Sequence, residues 1–70
     1  AFKLTPREKD VLELLCRGLS NKDISEHLGL QIVTIKLHIR GICRKLSVTN
    51  RTQAALKAAS LGLVAANGHL

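Results

Sequence analysis

Seventy residues carrying eleven Lys or Arg against five acidic side chains, with a net charge of +6 and a pI near 10.0, make room for one domain and no second core. A chain this short buries only about 60% of its unfolded surface, which argues against a deep catalytic cleft. Residues 61–66, the longest apolar run, are too few to cross a bilayer, and no signal-peptide pattern opens the chain, so a membrane role is set aside and the cytoplasm is the expected location.

The distribution of charge says more than its sum. All five acids (Glu8, Asp10, Glu13, Asp23, Glu26) precede residue 27, where Lys3, Arg7, Lys9, Arg17 and Lys22 cancel them. From His27 onward the side chains include no carboxylate, while Lys36, Arg40, Arg44, Lys45, Arg51 and Lys57 supply the whole excess. A neutral first part and a one-signed second part form an electrostatic footprint for a polyanion. Cys16 and Cys43 have apolar neighbours and no CxxC partner, which predicts buried free thiols of a reducing compartment. His27, His38 and His69 complete no zinc spacing, so neither a metal nor a cofactor is expected.

Four helices can be read in chain order. Thr5, Pro6 and Glu8 form a capping box with proline at the first helical position, predicting a helix to about Arg17, ended by Gly18. Its buried stripe is Val11, Leu12 and Leu15, with Leu14 on the flank. Ser20 caps a second helix over about 21–28, with Asp23 complementing the dipole, Ile24 and Leu28 inward, and Gly29 stopping it in the left-handed conformation.

The third helix, about 32–46, has two distinct rows at 100° per residue: Ile35, Ile39, Ile42 and Leu46 on one, Lys36, Arg40 and Arg44 on the other. Asn50 repeats the cap logic for a fourth helix over about 51–61, stopped near Gly62. That helix is apolar on two sides: Ala54, Ala58 and Leu61 on one, Leu56, Ala59 and Leu63 on the other. Alanine as a good helix former and a self-association surface both account for the second side. Residues 64–70 are expected to fray, and residues 1–3 to close a linker. The whole is an all-α four-helix bundle in which a short helix, a tight turn and a longer basic helix follow the order of a helix-turn-helix DNA reader.

The major groove of B-DNA, about 12 Å wide, admits one helix whose outward side chains reach base edges. The outward positions are read as Val33, Lys36, Leu37, Arg40, Gly41 and Arg44. Lys36 and Arg40 can donate to guanine, and Leu37 and Val33 can pack on thymine methyl groups. Arg44, a further turn along, is placed on the phosphate backbone, as are Thr34, Asn21 and Lys22 at helix starts and Lys45 and Arg51 on the flanks. His38 sits near the edge of the buried row, where packing and a phosphate hydrogen bond both remain open. Gly41 in mid-helix costs about 1 kcal/mol against alanine, either tolerated or repaid by something approaching closely.

The runs LTPREKDVLELL, GLSNKDISEHLGL, TIKLHIRGICRKL and NRTQAAL together resemble the LuxR-type helix-turn-helix domain, the C-terminal output domain of NarL- and FixJ-like response regulators and of quorum-sensing receptors. The resemblance covers about residues 4–62. It implies a recognition helix at 32–46, dimerisation through the fourth helix, for which the second apolar side with Leu56, Ala59 and Leu63 is the expected surface, and a regulatory domain that precedes this one in the full protein. It also implies groove contacts at the positions of Lys36, Leu37 and Arg40, with Thr34, Lys45 and Asn21 near the backbone. The chain departs from the family at Gln31, where serine or alanine is usual, and at Val33 and Gly41, where a polar residue is frequent.

Sequence-specific binding of duplex DNA by a homodimer, as part of a bacterial transcription regulator, is the function these features favour. A helical module contacting the transcription machinery is the alternative, and a flat salt response would distinguish it. An enzyme lacks a usable constellation, because Glu8 is already explained by capping and no nucleophile, base and acid stand at useful spacing. Single-stranded nucleic acid lacks a stacking platform, Phe2 being the one aromatic residue.

Overall fold

The computed structural model describes residues 3–64. Four helices follow in order: α1 (Pro6–Cys16), α2 (Asn21–Leu28), α3 (Ile32–Leu46) and α4 (Arg51–Ser60). Helix α1 lies against both α3 and α4, while α2 packs on α3, so the two long faces of α1 and α3 enclose the core. That core consists of Val11, Leu12, Leu14, Leu15, Ile24, Ile35, Ile42, Leu46, Ala54 and Ala58. Leu14, expected on the flank of α1, is buried with its neighbours because α2 and α4 cover both sides of that helix.

The helix ends follow local hydrogen-bond demand. Thr5 Oγ1 accepts from the Glu8 amide at 3.1 Å while Glu8 Oε1 accepts from the Thr5 amide at 3.0 Å, a reciprocal box that satisfies two orphan donors. Ser20 and Asn50 cap α2 and α4 by accepting from Asp23 and Gln53 amides at 3.1 and 2.8 Å. Gln31 makes no such bond, and α3 begins without a side-chain cap.

Two turns set the position of α3. Gly29 takes φ 68°, the left-handed conformation glycine adopts without steric cost, and the Leu30 amide donates back to Ser25 at 3.1 Å. At the far end Ser47 does the same at φ 59°, with the Val48 amide donating to Cys43 at 2.9 Å and the half-buried Val48 packed on the core. No glycine marks this second turn, so nothing in the sequence announced it.

Two expectations need adjustment. Leu61, read on one face with Ala54 and Ala58, is exposed while those two are buried, because α4 ends at Ser60 and the chain turns away there. Val64, placed in the frayed tail, is half-buried and packs against the core. The rest of that tail, residues 65–70 with His69, and the first two residues with Phe2 lie outside the described residues. Among the described residues no helix is long and apolar enough to cross a membrane.

Candidate nucleic-acid interface

Helix α3 separates its two rows as the periodicity requires. Ile35, Ile42 and Leu46 are fully buried and Ile39 is half-buried against the core, while Lys36, Arg40 and Arg44 are exposed. None of the three cations lies within 4.0 Å of a carboxylate among the described residues. They span roughly 12 Å along the helix axis at 1.5 Å per residue. Like charges at i and i+4 repel by about 0.2–0.5 kcal/mol per pair. An external polyanion relieves that cost, whereas no internal partner does.

Hydrocarbon flanks the cations. Val33 is 58% exposed and Leu37 60%, and both stand on the outward side of α3 beside Lys36, so apolar and cationic contacts are available on one surface. Thr34 and His38 are half-buried at the margins of this surface. Lys22 projects into solvent at the start of α2, one residue after Asn21.

Three positions differ from the outward, solvated picture. Gly41 is buried, not outward: a Cβ built on it would lie 2.8 Å from Glu8 Oε2, so the missing side chain admits the Glu8 carboxylate. Lys45 is tied down, its Nζ donating to Glu8 Oε1 at 2.6 Å. Arg51 is tied as well, Nη1 donating to Asn21 Oδ1 at 2.5 Å and Nη2 to the Leu19 carbonyl at 3.0 Å. Asn21 thereby has its acceptor oxygen occupied and keeps its amide N–H groups for an outside acceptor.

Glu8 reaches α3 from α1 in a way its part in the capping box does not foretell. It is 7% exposed, and although burial pushes its carboxyl pKa up, the hydrogen bond from Lys45, the Thr5 backbone bond and the Lys45 charge together hold it below the ordinary value. The available signal was Gly41, a helix-weakening residue four before a lysine.

Cys16 and Cys43 are free and half-buried, and burial pushes both pKa values up, reinforced at Cys16 by Glu13 and opposed at Cys43 by Arg51. On α4, Leu56 is 68% exposed and Ala59 is exposed beside it, while Ala54 and Ala58 seal the opposite side; Leu63, read as part of the same helical face, lies in the turn beyond Ser60 and is 40% exposed.

Known proteins share the sequence pattern and the fold of this chain. Residues 3–58 match the family described as bacterial regulatory proteins, luxR family. The transcriptional regulatory protein LiaR of Bacillus subtilis is 49% identical over 55 residues, a match covering 79% of this chain and 26% of that protein. The nitrate/nitrite response regulator NarL of Escherichia coli is 39% identical over 54 residues, covering 77% of this chain and 25% of that protein. Among solved structures, the transcription factor GerE superposes with a TM-score of 0.84 at 39% identity, covering 91% of this chain and 96% of GerE. The chain spans about a quarter of the length of the two curated relatives.

Proposed function

This chain belongs to the luxR family of bacterial regulatory proteins, a family of helix-turn-helix DNA-binding domains, and from that premise we propose that α3 reads duplex DNA in the major groove. The observation that carries the reading is the exposed row of Lys36, Arg40 and Arg44, without carboxylate partners, above a sealed row of isoleucines. Lys36 and Arg40 donate to base edges, Leu37 and Val33 pack on thymine methyls, and Arg44, Asn21, Lys22 and Thr34 hold the phosphates, with His38 at the margin. Lys45 and Arg51 are spent on partners within the protein. The role is binding rather than catalysis, in the cytoplasm, within a transcription regulator of the response-regulator kind.

Two copies meet through Leu56, Ala59 and Leu63 and occupy half-sites about one helical turn, 10–10.5 bp, apart. In the full protein this domain follows a regulatory domain, a reading supported by the quarter-length match to LiaR and NarL. Selection of bound duplexes from a random pool, followed by titration in rising salt, tests the proposal. A motif should be enriched, and log affinity should fall linearly with log salt by about 0.9 per phosphate contacted. No enriched motif together with a flat salt response would overturn it.

A further inference from the structure

Helix α3 is sealed by Ile35, Ile42 and Leu46, contacts that are apolar and carry no direction of their own. The directional contact comes from α1. The Glu8 carboxylate stands in a notch floored by Gly41, where a Cβ would come within 2.8 Å of Oε2, and its Oε1 accepts from Lys45 Nζ at 2.6 Å and from the Thr5 amide at 3.0 Å. Leu37, Gly41 and Lys45 recur at i, i+4 and i+8, so the clamp grips the lower end of the row whose upper end is the exposed Leu37.

We propose that Glu8 is a positioning residue for DNA reading: its carboxylate, keyed into the Gly41 notch and clamped by Lys45, fixes the roll of α3, and the same bond withholds the Lys45 charge from phosphate. With side chains reaching roughly 6 Å from the helix axis, a roll of about 15° moves the tips of Lys36 and Arg40 by about 1.5 Å, which breaks a bidentate contact to a base edge. A freed Lys45 adds one phosphate contact that carries no sequence information. The clamp thus favours discrimination over adhesion. This inference rests on the DNA-reading proposal above.

The experiment titrates wild type, Glu8→Gln and Lys45→Met against the duplex that wild type enriches from a random pool and against a scrambled duplex, each over a salt series, with helix content checked by circular dichroism. For Glu8→Gln, the ratio of selected to scrambled affinity should fall about tenfold, scrambled binding should strengthen, and the salt slope should steepen by about 0.9. For Lys45→Met the ratio should fall without the slope becoming flatter. A merely structural role lowers the folded fraction, which weakens both duplexes alike and moves neither ratio nor slope.

Lys45→Met leaves the Thr5 cap intact and carries the test should Glu8→Gln not fold. An unchanged ratio and slope in folded Glu8→Gln would overturn the inference, as would a Lys45→Met slope flatter by about 0.9 at an unchanged ratio. These outcomes arise with a discriminating wild type, and so leave the DNA-reading proposal standing. A wild type that prefers no duplex overturns both.

Discussion

Lys36, Arg40 and Arg44 share their chemistry with Lys45 and Arg51, yet the two sets have opposite fates. The first three stand on the outward row of α3 with no carboxylate within 4.0 Å among the described residues. The other two are bound into the fold, Lys45 by Glu8 of α1, Arg51 by Asn21 and the Leu19 carbonyl. A cation count therefore overstates what is available to a polyanion. Position on the helix decides: one step around α3, from 44 to 45, turns a side chain by 100° from solvent toward α1.

Removing what holds the rows apart gives the largest expected effect. Ile42→Ala should cost about 2–5 kcal/mol of unfolding free energy in a urea titration, because a fully buried branched side chain leaves a cavity in the core. Loss below 1 kcal/mol would mean that the sealed row is looser than described. Arg40→Ala touches only the outward row. It should leave stability within about 0.5 kcal/mol and weaken binding to the selected duplex by about 1–3 kcal/mol, with relaxed base preference. Equal binding by the variant would place Arg40 off the base edges and break the distinction between the two sets of cations.

Gly41→Ala probes the point where the rows meet. Alanine adds about 1 kcal/mol of helix propensity, but its Cβ would stand 2.8 Å from a carboxylate held by two donors. We expect the clash to prevail, with a net loss on the order of 1 kcal/mol. In a Glu8→Ala background the same change should instead stabilise by about 1 kcal/mol. A gain in both backgrounds would show that the notch is not closed by Glu8.

Most of the scaffold was readable because each element announces itself locally. Thr5 with Glu8, Ser20 with Asp23 and Asn50 with Gln53 are short-range hydrogen bonds that the residues alone prescribe, and the α2 and α3 bounds agree with the periodicity. What stayed hidden depends on chain segments far apart. The Glu8–Lys45 pair joins positions 37 apart, and the Arg51–Asn21 bond joins positions 30 apart. Helical periodicity assigns each residue an angle but not the neighbour it meets there, which is why Gly41 falls on the outward side by period while Glu8 of α1 covers it. Ser47 escaped for another reason, since a left-handed serine carries no signature of the kind glycine gives at Gly29.

Acid separates the cations most gently, since it discharges Glu8, the partner of Lys45, and leaves the outward row and the neutral partners of Arg51 untouched. The folded-state pKa of Glu8 lies below its unfolded value, so its contribution to stability is fully present above the ordinary carboxylate value of 4.5 and is lost as pH falls through the folded value. In urea titrations at a series of pH values, wild type should therefore exceed Glu8→Gln in stability by a constant margin near neutrality. That margin should shrink below about pH 5 and close once the carboxyl is protonated in both states. The Lys45→Met chain, which lacks the main lowering influence on Glu8, should show a shallower acid loss over the same window. A margin that persists undiminished in acid would mean that the carboxylate charge does not clamp α3 and that Glu8 acts through its cap alone.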